Sequence, residues 1–297
     1  MDNNIFSGLE DLGFDNVHNL KIYKKDDPTK DDVKEEKNAP KLSPIYDKEV
    51  ICPVCQNTFK ARALKSSHYR MEKKDTDFFI RYLSENPYFY DVWLCNKCGY
   101  ASMKIDFEKI RDHQIELVKQ KITPRWHGKI YPEVYDVDIA IERYKLALLN
   151  YTIMEAKSSK KAMTCLKIAW MYRILNDAQE ELLFLKEALE GFNDAYYNEG
   201  FPIYGMNSFA LMYLIGELNR RTGDNEKALL WFGQVITAPA VSPKLKDLAR
   251  DQKDLIKEEQ QLLEKKKQEE SEDTTSSTDK EEVPTKKKGF FSKLFGK

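Results

Sequence analysis

Cys52-Pro53-Val54-Cys55 and Cys95-Asn96-Lys97-Cys98 are the stretches that decide how this chain is read. Thirty-nine residues, 56 to 94, separate them, and together they hold four of the five cysteines. Each Cys-x-x-Cys pair suits a tight turn that grips a metal ion from one side. Zinc takes four thiolates in a tetrahedron, and two such knuckles supply them. The expectation is one structural Zn2+ held by Cys52, Cys55, Cys95 and Cys98. The competing reading is a redox dithiol, but that chemistry wants one pair at a helix N-terminus, and here two matched pairs lie among strands. Four thiolates also close the coordination sphere, which leaves no position for a catalytic water. Cys165 falls at helical spacing with Ile168 and Ala169, the pattern of a buried packing thiol. His18, His68, His113 and His127 are scattered, and His68, between the knuckles, is not needed as a ligand.

Outward from the knuckles the texture is β. Val50 and Ile51 lead into the first pair, Thr58 to Leu64 alternates as a return strand, and Tyr88 to Leu94 is an aromatic and β-branched run before the second pair. Gly99 stands where a knuckle needs positive φ. Strand, knuckle, strand, twice over, outlines a zinc-ribbon-like domain across 41–105. From 106 to 267 the period becomes helical, with helices expected at 107–121, 137–156, 160–176, 178–197, 205–222 and 225–237, and a charged one from Pro243 to about 267. In Ala210 to Pro239, Gly216, the Gly223-Asp224 turn, Ala228 and Phe232 follow the small-turn-small-aromatic pattern of a tetratricopeptide unit. Ala140, Tyr144 and Ala147, then Ala169, Phe184 and Ala188, repeat parts of it. The fold class expected is mainly α, with tetratricopeptide-type helical hairpins and a small β zinc-ribbon-like subdomain.

The ends read differently. Residues 1–40 form a charged, turn-rich arm, in which Ile5, Phe6, Leu9 and Leu12 suggest at most a short docking helix. Residues 268–285 are a low-complexity linker. The tail 286–297 is basic and amphipathic: wound as a helix, Phe290, Phe291, Leu294 and Phe295 share a face, with Lys286, Lys287, Lys288 and Lys293 to meet an anionic membrane surface. Burying four such side chains gives roughly 6–10 kcal/mol, and ordering the segment costs about 1 kcal/mol or more per residue. One copy is therefore a weak, reversible membrane contact.

The ordered set Cys52-Pro53-Val54-Cys55, Asp75-Thr76-Asp77-Phe78, Asn86-Pro87, Tyr90-Asp91-Val92-Trp93 and Cys95-x-x-Cys98-Gly99-Tyr100-Ala101 resembles an uncharacterised bacterial family, domain of unknown function 2225, over roughly residues 45 to 240. The resemblance implies a bacterial cytosolic protein with a zinc-ribbon-like head and tetratricopeptide-like helices, and it brings no activity or catalytic residues. Asp75, Asp77 and Asp91 are the acidic members of the set. With no nucleophile or phosphate loop beside them, turn and strand-end hydrogen bonding is their expected role.

Composition narrows the function. The 297 residues carry 48 Lys+Arg against 49 Asp+Glu, a net charge of −1, which speaks against a chain that coats nucleic acid over its whole surface. No apolar run approaches the roughly 18 residues of a membrane span, and Met1-Asp2-Asn3-Asn4 does not begin a signal peptide. The expected place is the cytoplasm, peripheral at the inner membrane face. The leading reading is a non-enzymatic adaptor that receives a protein partner in a helical groove. The alternative is nucleic-acid binding by the ribbon, through Lys60, Arg62, Lys65, Arg70, Lys73, Lys74 and Arg81 interleaved with Tyr69, Phe78 and Tyr82. Glu72, Asp75, Asp77, Glu85 and Asp91 dilute that span to 7 − 5 = +2.

Overall fold

In the computed structural model, which describes residues 44–276, three short antiparallel hairpins come first and seven helices follow. The hairpins are β1 (Ile45–Ile51) with β2 (Thr58–Leu64), β3 (Met71–Lys74) with β4 (Ile80–Tyr82), and β5 (Val92–Leu94) with β6 (Ala101–Met103). The helices are α1 (Asp112–Lys121), α2 (Val137–Ile153), α3 (Ser158–Leu175), α4 (Ala178–Asn198), α5 (Ser208–Arg221), α6 (Asn225–Thr237) and α7 (Pro243–Ser276). The protein is thus mainly helical, with small strand pairs at its head. The arm 1–40, with Ile5, Phe6, Leu9 and Leu12, and the tail 286–297 lie outside the described residues.

Several boundaries differ from expectation for local reasons. The helix expected from Phe107 begins at Asp112 because residues 106–109 form a turn, and Gln114 Oε1 then accepts the Arg111 N–H at 3.2 Å to cap the helix. The run Tyr88–Leu94 is a strand only from Val92. Pro87 and the Asn86 side chain, which accepts the Tyr88 N–H at 3.0 Å, wind Pro87–Tyr90 into a 3-10 turn. Helix α7 continues into the stretch read as linker, as far as the described residues reach, consistent with the helix-forming Glu, Gln and Lys of that segment.

Helix α2 is the spine on which the head rests. Arg143 Nη2 donates to the Val92 carbonyl at 2.7 Å, Tyr144 Oη to Tyr88 O at 2.9 Å, and Tyr151 Oη accepts the Met103 N–H at 3.0 Å. Arg143 is buried between the tyrosine faces of Tyr131 and Tyr135, at 5.0 and 4.7 Å. One core runs without a break from Val50, Phe79 and Phe107 to Tyr144, Ile168 and Leu211, and a second, around Phe232, joins α5 and α6 to Ala249 and Ile256 of α7.

Successive helices pack as neighbours from α2 to α7. Two of the connections are alike. Left-handed Asn176 (φ 58°) ends α3 and Asp177 caps α4, accepting the Glu180 N–H at 3.1 Å; left-handed Gly223 (φ 90°) follows α5 and Asp224 caps α6, accepting the Lys227 N–H at 3.0 Å. Gly216 lets α6 approach closely, since a Cβ there would lie 2.9 Å from Phe232.

Candidate metal centre

The two knuckles are built to one plan. In the first, between β1 and β2, the Cys52 N–H donates to Asn57 O at 3.0 Å and the Cys52 carbonyl accepts the Gln56 N–H at 2.9 Å. In the second, between β5 and β6, the Cys95 N–H donates to Tyr100 O and the Cys95 carbonyl accepts the Gly99 N–H, both at 2.9 Å. Gln56 and Gly99 hold the same place, and both have positive φ (57° and 77°). Gln56 is exposed, whereas the α position of Gly99 faces Trp126, where a Cβ would meet Cγ at 2.7 Å.

This folding brings together all four expected sulfurs. Cys52 and Cys98 Sγ lie 3.6 Å apart, as do Cys55 and Cys95, and all four fall within 4.8 Å of one another. A tetrahedral ion at about 2.3 Å from each thiolate would space them by about 3.8 Å, so the donor set fits a thiophilic cation. At this spacing the thiols perturb one another: the hydrogen bond with Cys95 chiefly pushes the Cys52 thiol up, Cys98 is pushed up mainly by its bond with Cys52, and Cys95 is drawn down chiefly by its bond with Cys52. A bound cation would replace the thiol protons as the counter-charge. Cys52, Cys95 and Cys98 are buried and Cys55 is half-buried.

A strap that the sequence did not reveal holds the second knuckle from outside. Thr123 Oγ1 donates to Cys98 O at 3.0 Å, Trp126 Nε1 to Asn96 O at 2.8 Å, and the Lys129 N–H to Asn96 Oδ1 at 2.7 Å. From the inside, Asn150 Nδ2 donates to Gly99 O at 3.3 Å. The histidines play no such part among the described residues: His68, His113 and His127 are exposed and none joins the cluster. Cys165 is buried in α3, its thiol pushed up to about 12 by that burial.

The three aspartates do more than cap turns. Asp77 is fully buried; Arg173 of α3 donates to both its oxygens, at 3.0 and 2.6 Å, and Trp170 Nε1 adds a third bond at 3.0 Å. Asp75 is bidentate with Arg81 (3.0 and 2.9 Å) and also takes Arg173 at 3.1 Å. Thr76 donates to Glu217 of α5 and accepts from Arg221, while the Phe78 ring meets Tyr213 at 5.5 Å. Residues 75–79 therefore plug the face formed by α3 and α5. Asp91 pairs with Lys167 of α3 and, at 3.0 Å, with Lys104. Burial alone would raise all three carboxyls, but the adjoining cations outweigh it and hold each below the usual carboxylate range. Of the basic residues between the knuckles, Arg81 is engaged by Asp75 and Arg62 by Asp47 at 3.2 Å; Lys60, Arg70 and Lys73 are exposed.

Among the described residues no helix is long and apolar enough to cross a membrane. Neither a curated protein nor a solved structure matches the chain. A family model described as an uncharacterized protein conserved in bacteria matches residues 45–256, from the first strand to Ile256 of α7, and so takes in both knuckles, the strap and the plug. The chain belongs to that family, domain of unknown function 2225.

Proposed function

We propose that this protein is a non-enzymatic adaptor: a zinc-held head fixed to a tetratricopeptide-type helical scaffold that receives a protein partner, with the C-terminal tail as a weak tether to an anionic membrane surface. Zinc is the reading for the cation because four thiolates at this spacing suit it, and a full tetrahedron acts in folding rather than in catalysis. The repeat reading rests on the matched turns after α3 and α5 and on the close Gly216–Phe232 approach.

The observation that carries the adaptor reading is the pair of open grooves flanking α4. The plug takes the α3–α5 face, but a groove of about 690 Å3 lies beside Leu189, Tyr197, Leu230 and Trp231, and one of about 750 Å3 beside Leu148, Leu183 and Phe184. Tyr197 and Leu230 in the first groove and Leu183 in the second are each at least half exposed, and large apolar side chains left open in a groove support a partner site. The test is cross-linking in the native cell, comparing the wild type with Leu183→Asp and Leu230→Asp. A partner that links to the wild type and is lost in a variant of unchanged fold supports the reading. Identical cross-links in all three would overturn it.

A further inference from the structure

Of the two grooves beside α4, one is acidic and the other is not. In the first, Leu183, Glu187, Glu190 and Asp194 follow one another along α4 at helical spacing, over about 16 Å. Leu148 of α2 and Lys161 of α3 line the same groove. At Gly191, where a Cβ would lie 2.9 Å from that of Ala162, α3 and α4 close together beneath it. The other groove holds Lys186 and Lys227 against a single carboxylate, Asp224, which Lys227 already pairs at 2.7 Å.

The acidic groove is divided along its length. At one end Leu183, half exposed, stands with Leu148 and with Phe184, whose ring the Tyr172 ring holds at 5.7 Å. Beyond it Glu187, Glu190 and Asp194 are all exposed, three carboxylates against the one ammonium of Lys161. Asp194 accepts from Asn198 at 2.7 Å, but Glu187 and Glu190 have neither a hydrogen bond nor an ion pair among the described residues. The chain carries the complement of this division. Residues 286–297 hold Lys286, Lys287, Lys288, Lys293 and Lys297 and no acid, and the lysine run precedes the rings of Phe290, Phe291 and Phe295. Twelve residues span at least 16 Å, as helix or as strand. Nine more, 277–285, join them to the described end of α7 and reach up to about 30 Å.

We propose that, away from a membrane, the tail 286–297 docks in the acidic groove of its own chain, with lysines against Glu187 and Glu190 and aromatic rings against Leu183. A basic, aromatic segment of another protein would meet the same groups. Attachment, however, presents the tail at an effective concentration in the millimolar range before any partner arrives. The docked tail shuts one of the two grooves assigned to a partner, and an anionic surface that draws the tail away opens it. That consequence rests on the adaptor reading; the docking itself needs no partner.

The test places the photo-reactive benzoylphenylalanine at position 291 of the purified full chain, irradiates it alone and locates the cross-links by mass spectrometry. A product within one chain, joining the tail to Leu148 or to residues 183–194, is expected. Glu187→Lys combined with Glu190→Lys should weaken docking about tenfold and remove most of that product. Both sites are exposed, so the urea midpoint should not move. Phosphatidylglycerol vesicles should also reduce the product, and phosphatidylcholine vesicles should not. Leu230→Asp, in the other groove, should leave it unchanged. The proposal is overturned by no product, by one that joins two chains, or by one spread over the surface. It is equally overturned by a yield that survives the charge reversals or the anionic vesicles. Partner cross-links in the cell decide the adaptor reading separately, so either idea can fail while the other stands.

Discussion

At Gly99 the lack of a side chain decides whether the second knuckle closes. Gly99→Ala would strain a backbone at φ 77° and drive a methyl group against Trp126. A loss of about 1–3 kcal/mol is expected for the backbone alone, read as a lower urea midpoint; Gln56→Gly, at the matching exposed position, should change the midpoint little. The need for positive φ was legible at Gly99, because only glycine adopts it freely. It was not legible at Gln56, where nothing in the side chain marks the conformation. The ligands were legible for a similar reason: Cys-x-x-Cys is a local pattern whose two sulfurs face one way. Cys52→Ser should lose the metal, seen by elemental analysis. Since such binding is worth on the order of 10 kcal/mol in folding, the head should then lose protease resistance, whereas Cys165→Ala should keep its full metal content.

Among the elements, the plug of residues 75–79 carries the largest single liability. Arg173→Met would strand the buried Asp77 carboxylate and should cost about 3–5 kcal/mol in denaturant unfolding, part of it recovered when Asp77→Asn is added. The same contacts set a pH dependence. With Asp75, Asp77 and Asp91 lower in the folded chain than their ordinary value near 3.9, their stabilisation is complete above about pH 4 and drains away as pH falls through the lowered folded values. Unfolding midpoints between pH 6 and pH 2 should show this decline, and Asp77→Asn should flatten it. None of this could be read from the sequence. Asp77 and Arg173 lie 96 residues apart, and periodicity reports only near neighbours. The β3–β4 hairpin was missed for another reason: Met71–Lys74 is exposed throughout, so it has no alternation to read. Helices α2 to α6 were found to within a few residues, although α3 and α5 are buried nearly all round and not on one face alone. Helix α7 should tolerate truncation after Lys266 without loss of Tm. Removal from Pro243 onward, which uncovers Phe232 and Val235 by taking Ala249 and Ile256 away, should lower it sharply.

For the whole molecule, the tethering proposal makes a simple prediction: the full chain should pellet with anionic vesicles at low salt, and a chain lacking residues 286–297 should not. Equal pelleting would remove the membrane from the picture. The plug has a further consequence, in the order of manufacture. Thr76 meets Arg221 across 145 residues, and ribosomes add about 5–20 residues per second. The nascent head therefore waits roughly 7–30 seconds before its last anchor is made. For the first 96 of those residues Asp77 lacks Arg173 of α3 as well, so the head goes longest without its helical anchors whenever translation slows.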